Sequence, residues 1–454
     1  MTGNPFGWKN WFSPKKSHAS PAINFNERSG DTRLSWSILI SCHDARRPSK
    51  VWLEPSPPAA WSLMQNNLLI PFSLGHFSND LAPIGMYLII PAFGSAIGLS
   101  PAEIGLLFMI HNLGASLAYL PAGILADHVA NRGIILAATF FWVGFGYLTA
   151  SFAEGFWAFA ILIGLAGMGD ATWHPIATGV LAQMHKARRA YALGVHAIGG
   201  HISEVVALPV AGLMLALWDW QTAIQVLIIP TLLMGCIFVF IARKVPRHVN
   251  SRPTRADFAD IWRIWTNRSG LRLIALFTSY NMGLLAIVTM TPLYLRANHD
   301  FGWMATAMAM AVMMLLGALA QPGMGKMSDR VGRRPVIIAG NTVATAAAFV
   351  AWFSGNFVIT LIALGFAITA LVAIRAVLQA AAVDHAGRRE GTSLGLTFAA
   401  MDGFAASAAL LAGLAGESDL ANAFLLASGF SLLALILAVA TPRTVPTAES
   451  SVVV

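Results

Sequence analysis

The sequence has little charge: Asp, Glu, Lys and Arg make up 11% of its 454 residues, where an ordinary soluble domain carries roughly a quarter. That scarcity excludes a soluble globular enzyme. Cysteine is scarcer still, with Cys42 in a polar stretch and Cys236 in an apolar run, so neither a disulfide scaffold nor a CxxC metal site is available. No G-x-x-x-x-G-K-[ST] loop occurs, which argues against ATP-driven pumping. An intramembrane enzyme fails for want of a nucleophile-base or metal constellation. A cleaved signal is not expected either, because the longest apolar piece before Met64, around Trp36 to Ile40, is too short and too far from the N-terminus.

Apolar surface, by contrast, is abundant. Hydrophobic residues are 56% of the chain and the mean hydropathy is +0.65, more than one or two soluble cores could bury, so lipid must solvate much of the surface. From Leu68 onward, apolar runs long enough to cross a hydrocarbon core of about 30 Å recur regularly. Twelve are predicted, centred near Pro83, Gly114, Trp142, Ala166, Ser203, Pro230, Leu285, Met313, Ala344, Thr369, Ala405 and Leu432. The longest polar interruption, from Arg243 to about Arg272, divides them into six and six. The expected organisation is a polar cytoplasmic tail over 1–63, read as disordered, six-helix bundles over 64–243 and 271–441, a basic linker over 244–270 and a short tail over 442–454. Met64, which leads straight into the first apolar segment, is an alternative start.

The formal charge of +8 belongs to loops rather than to a nucleic-acid surface. Of the 21 Lys and Arg after residue 63, all but Arg296 and Arg375 fall before segments 3, 5, 7, 9 and 11 or after segment 12, all on one face. By the positive-inside rule that face is cytoplasmic, with both termini, in a multi-pass protein of a cell membrane, a bacterial inner membrane in the first instance. The opposite loops hold Glu103, Glu154, Asp219, Asp300, Glu417 and Asp419.

The halves repeat one another. LADHVANRG and MSDRVGRRP place Asp127 and Asp329 202 residues apart, while Gly164 and Gly365, Leu193-Gly194 and Leu394-Gly395, and Gly212 and Gly413 lie 201 apart. Matches at one offset imply two homologous six-helix bundles. The string GKMSDRVGRRPVI, from Gly325, resembles the loop motif G-x-x-x-D-R-x-G-R-[RK] of the major facilitator superfamily, matching at Gly325, Asp329, Arg330, Gly332, Arg333 and Arg334. That resemblance implies an all-α integral membrane fold of twelve transmembrane helices. Gly325 is expected to allow close helix approach, and Asp329 to favour a nearby helix N-terminus and pair with the loop arginines, latching one conformational state. The first-half copy keeps Gly123 and Asp127 but has His128 where arginine is usual and a displaced Arg132, so its latch should be weaker.

Ionisable residues inside a membrane are costly and should face a cavity or a partner. Segment 1 carries His76 and Asp80 four apart on one face, beside Asn79; segment 4 carries Asp170 and His174 at the same spacing, followed by the helix-kinking Pro175. Segment 5 adds His196, His201 and Glu204, and segment 2 His111 and Asn112. The GHFSND and WHP strings resemble those of the fosmidomycin-resistance type of drug exporter, H-x-x-N-D and F-H-P-E, over roughly Leu68 to Val245, although Ile176 stands where that type has glutamate. Segment 5 also resembles the antiporter pattern ending G-P-x-x-G-G, keeping Pro209 and Gly212 but with Leu208 for the glycine.

The second half contributes Arg375, Asp402 and Asn281. At the repeat offset Arg375 matches His174 and Asp402 matches His201, which suits a central cavity lined by both halves. Arg375 could hold a carboxylate or phosphonate bidentately, or could instead pair with Asp402 or a backbone carbonyl. His76, Asn79, Asp80, His111, Asp170, His174, His201, Glu204, Arg375 and Asp402 are the candidate substrate-binding and proton-coupling residues. A metal held by His196, His201 and Glu204 is poorly specified, so neither metal nor cofactor is expected.

These features lead to a secondary active transporter moving a small anionic or amphiphilic solute by alternating access. Efflux by proton antiport is the leading form and proton symport of an organic anion the alternative. A transport-silent sensor would need a signalling domain, which the N-terminal tail does not supply. The expected partners are the solute, protons and the bilayer, with the protein a monomer that binds no nucleic acid.

Overall fold

The computed structural model describes residues 59–185, 188–247, 255–386 and 390–441. Among the described residues the regular structure is helical. The first half comprises α1 (Ala59–Ile97), α2 (Pro101–His128), α3 (Arg132–Ala150), α4 (Phe156–Met184), α5 (Arg189–Leu217), α6 (Trp220–Leu227) and α7 (Ile229–Ile241). A linker helix, α8 (Arg255–Thr266), leads to α9 (Arg268–His299), α10 (Trp303–Val331), α11 (Arg333–Phe353), α12 (Phe357–Ala386), α13 (Glu390–Gly416) and α14 (Asn422–Ala440). Among the described residues these form 12 stretches long and apolar enough to cross a membrane, with α6 and α7 making one of them.

Local chemistry sets several boundaries. At the start of α2 the Glu103 N–H donates to Ser100 Oγ at 3.3 Å and the Ser100 N–H donates to Glu103 Oε2 at 2.8 Å, a reciprocal cap with Pro101 in the first turn. Asp219 caps α6 by accepting from the Thr222 N–H at 2.7 Å, a bond that holds its carboxyl below the usual carboxylate range. The sixth span breaks at Ile228 because Pro230, at the start of α7, has no N–H to continue the ladder. Two expected boundaries shift: α1 begins at Ala59, inside the stretch read as tail, and the linker read as merely basic carries α8. The expectations for 1–58 and 442–454 lie outside the described residues.

Burial sorts the helices into an inner and an outer set. Within its most apolar window α9 is 78% buried and α1 61%, whereas α11 is only 33%; exposed Phe240, Phe353 and Trp157 belong to the lipid-facing surface. The inner helices α1, α4, α9 and α12 carry His76, Asn79, Asp80, Asp170, His174, Asn281 and Arg375, which removes those side chains from lipid.

Small residues join the two halves. A Cβ on Gly413 of α13 would fall 2.2 Å from the Pro101 carbonyl oxygen of α2, and one on Gly212 of α5 would fall 2.3 Å from the Ala307 methyl of α10. These glycines are the pair found 201 residues apart, so the repeat places the same small residue at two symmetry-related seams. The α2–α13 seam continues through Gly105, whose Cβ would meet the Ala409 carbonyl oxygen at 2.3 Å, to Gly395 against Tyr119. On the face carrying the acidic loops, the Ala102 N–H donates to Glu417 Oε1 at 2.9 Å across that seam. This bond holds the Glu417 carboxyl below the usual carboxylate range.

Candidate functional site

α1 and α4 bring five of the candidate residues together. The i, i+4 spacing puts His76 Nε2 3.2 Å from Asp80 Oδ2, and the matching pair on α4 puts His174 Nε2 3.6 Å from Asp170 Oδ1. The two helices then meet: His174 Nε2 is also 3.6 Å from Asp80 Oδ1, and the Asn79 amide donates to both Asp170 and Asp80. His196 of α5 completes the wall, its ring stacked on His76 at 4.4 Å between centroids and on Trp173 at 5.2 Å. His76 Nδ1 lies 3.0 Å from the His196 carbonyl oxygen. A carbonyl only accepts, so Nδ1 carries hydrogen and Nε2 is the atom turned toward Asp80. Ile176, in the place of the exporter glutamate, is fully buried in the apolar core.

A second group spans the two halves. Arg375 of α12 donates to Glu204 Oε1 of α5 at 2.6 Å, and the other carboxylate oxygen of Glu204 lies 3.4 Å from His201 Nδ1. Arg375 therefore pairs across the centre with Glu204, not with Asp402. The latter accepts from the Asn281 amide at 2.8 Å and is approached by the Tyr119 hydroxyl. Tyr87 and Tyr280 flank the ion pair from α1 and α9. Next to Arg375 a small cavity is bounded by Phe277, Tyr280, Leu378, Phe398 and Met401. His174 is close enough to Asp402 for the two to interact electrostatically, so the two groups face one interior.

His111 stands apart, its Nε2 2.7 Å from the Tyr147 hydroxyl in a buried α2–α3 contact. The sequence offered no signal for Tyr87, Tyr119 or Tyr280, because an aromatic residue inside an apolar run looks the same whether it faces lipid or a cavity.

The loop motif departs from its expected reasons. A Cβ on Gly325 would meet nothing within 4 Å, so this glycine does not serve close helix approach; Gly332, at φ +90°, is the residue that needs to be glycine. Arg333 binds Asp329 and Ser328 and reaches Asp384 Oδ2 of α12 at 3.3 Å, while Arg334 donates to the Ala438 and Val439 carbonyls at the end of α14. Arg330 is exposed. In the first half Arg132 is no stray: it is 3% exposed and donates to Gln183 Oε1 at 2.7 Å. Arg132 and Arg333, like Gln183 and Asp384, lie 201 residues apart, so both loops tie the start of one helix to the end of the next through corresponding residues. The 202-residue offset between Asp127 and Asp329 hid this correspondence. Gly123 packs close to Gly395 in the α2–α13 seam, and Asp127 interacts electrostatically with Arg132.

The comparisons with known proteins agree with this architecture. The Major Facilitator Superfamily profile matches residues 72–322 and 298–452. The chain is 29% identical to a probable 4-methylmuconolactone transporter of Cupriavidus pinatubonensis over 55% of this chain and 60% of that protein, so the match spans less than two thirds of that relative. It is 24% identical to a probable sulfoacetate transporter of Cupriavidus necator, over 67% of this chain and 76% of the relative, and 23% identical to a ribitol transporter of Klebsiella pneumoniae, over 64% and 73%. In fold it is similar to a bacterial homologue of the human lysosomal transporter Spinster, at TM-score 0.67 and 15% identity over 85% of this chain and 96% of that one. A peptide transporter gives TM-score 0.68 at 14% identity, over 83% and 94%. With twelve membrane-spanning helices in two repeated halves and a superfamily profile matching most of its length, the chain belongs to the Major Facilitator Superfamily of membrane transporters.

Proposed function

We propose that this transporter moves a small organic anion together with a proton, by alternating access about the Arg375–Glu204 pair. The observation that carries this reading is the pair itself, a guanidinium from one half held by a carboxylate from the other. An anionic solute entering beside Arg375 competes with Glu204 for the same N–H donors. Once displaced, the Glu204 carboxylate keeps the His201 imidazole, 3.4 Å away, as its nearest partner among the described residues, with Tyr87 and Tyr280 as further titratable neighbours. A lone carboxylate in such a place is costly, and binding a proton removes the cost.

Anion and proton therefore bind together, which is symport. Under an inward proton gradient, with the basic loops inside, symport is uptake. Antiport would require proton and solute to exclude each other at this pair, which fits a cationic solute rather than an anion. The names of the relatives, a muconolactone and a sulfoacetate transporter among them, favour the organic-anion class. The resemblance of α1 and α4 to the fosmidomycin-resistance type adds phosphonates to the anions worth testing.

The test is proteoliposomes carrying an internal pH dye, challenged from outside with sulfoacetate, aromatic ring-cleavage lactones and acids, sugar acids and fosmidomycin. Internal acidification with one of the anions is the expected result. Internal alkalinisation on solute entry would mean antiport and overturn the proposed coupling.

A further inference from the structure

The α1–α4 cluster has a feature that the coupling pair does not use. His76 Nε2, the Asp80 carboxylate and His174 Nε2 all lie within 4.8 Å of one another. The nearest pairs, 3.2 and 3.6 Å apart, are close to the separation of neighbouring donors in a tetrahedral zinc shell, about 3.3–3.6 Å for bonds of about 2.0–2.2 Å. We propose that His76, Asp80 and His174 form a three-ligand binding site for a divalent transition-metal ion of the zinc class. This site is independent of the metal reading that the sequence raised, since Glu204 and His201 are engaged at the ion pair.

The surroundings are built as such a site requires. A ligating imidazole normally donates its other N–H to a carbonyl or carboxylate, and His76 Nδ1 does so to the His196 carbonyl oxygen at 3.0 Å. The stacked rings of Trp173 and His196 fix the plane of His76, and the fully buried Asn79 donates to both carboxylates, orienting them. The charges also fit: two carboxylates share an intramembrane space with imidazoles, and a dication balances them. Two nitrogen donors favour zinc-class ions over magnesium or calcium, which prefer oxygen alone. The side chains of His76, Asp80 and His174 retain 16%, 16% and 21% exposure, which leaves a path for an ion. All three donors come from α1 and α4 of the same half, so the site stays intact when the halves rock.

The test is equilibrium binding of Zn2+ to the purified full-length protein, free of any histidine tag, by competition with a chromophoric chelator. The expected result is one tight site per chain, weakened at least about 10-fold by Asp80→Asn and by His174→Gln and unchanged by His299→Gln, whose ring lies at the far end of α9 against Tyr294 and Phe357. Because a variant can misfold, the wild-type protein is also titrated with Co2+, whose intense visible bands report four-coordinate geometry. Zn2+ affinity unmoved by both site variants, or a weak six-coordinate Co2+ spectrum, would overturn the site. No solute and no proton gradient enter this measurement, so it stands or falls separately from the proposed symport.

Discussion

The cluster on α1 and α4 and the ion pair between α5 and α12 are both polar groups inside a membrane, and they differ in what joins them. His76, Asp80, Asp170 and His174 belong to one half of the molecule, while Glu204 and Arg375 belong to different halves. Rocking one half against the other leaves the first group unchanged and stretches or re-forms the second. Only a contact of the second kind reports conformation to a ligand, since a ligand shifts an equilibrium only through interactions that differ between its states. On the proposed coupling, the abundance of histidine and acid in the first half is thus no guide to where the proton acts.

The largest expected effect falls on Arg375. Arg375→Gln removes the anion's donors and leaves Glu204 with His201 alone, and affinity for an anionic solute should fall about 10- to 100-fold, as hydrogen bonds to charged groups contribute about 1.5–3 kcal/mol. Lysine, which lacks the bidentate fork, should restore part of it. Direct binding of the solute identified in proteoliposomes checks this, and Arg375→Gln binding with normal affinity would return Arg375 to a packing role.

The two loops offer a finer comparison. Arg132 is 3% exposed, whereas the carboxylate partners of Arg333 are 64% and 61% exposed. Arg132→Ala should cost about 1–3 kcal/mol of stability by stranding buried acceptors, and Arg333→Ala no more than about 1 kcal/mol. Thermal unfolding of the two variants in one detergent measures the difference, and equal shifts would contradict this division.

The smallest effect concerns the seam on the acidic face. The Glu417 carboxyl is held below its ordinary value of 4.5 by the Ala102 N–H. A depressed carboxyl contributes fully above its unfolded value and loses that contribution as pH falls through the folded one. Labelling of a cysteine placed beside Pro101 should therefore quicken at acid pH in the wild-type seam. In Glu417→Gln it should be faster at neutral pH and nearly independent of pH.

Much of this was legible from sequence. Twelve spans followed from apolar run lengths, because lipid enforces them, and two repeated halves followed from matches at one offset. The pairing of His76 with Asp80 and of Asp170 with His174 followed from helical spacing alone. The partner of Arg375 did not, since which faces of α5 and α12 meet depends on helix rotation, and that is set by packing contacts such as Gly212 on Ala307. The aromatic wall of Tyr87, Tyr119 and Tyr280 was hidden for a different reason, because apolar and cavity-facing positions alternate without leaving a compositional trace. The loop symmetry was obscured by one extra residue between Asp127 and Arg132, and only the shared Arg-to-helix-end contact reveals it.

The central claim is that Glu204 takes the proton when the anion takes Arg375. Glu204→Gln mimics the protonated state permanently, so the decisive measurement is solute uptake into proteoliposomes in two modes, equilibrium exchange and accumulation driven by an imposed pH gradient. The expected result is that Glu204→Gln keeps exchange and loses driven accumulation. A Glu204→Gln protein that still concentrates the solute as the wild type does would contradict the claim and move the coupling to another acid.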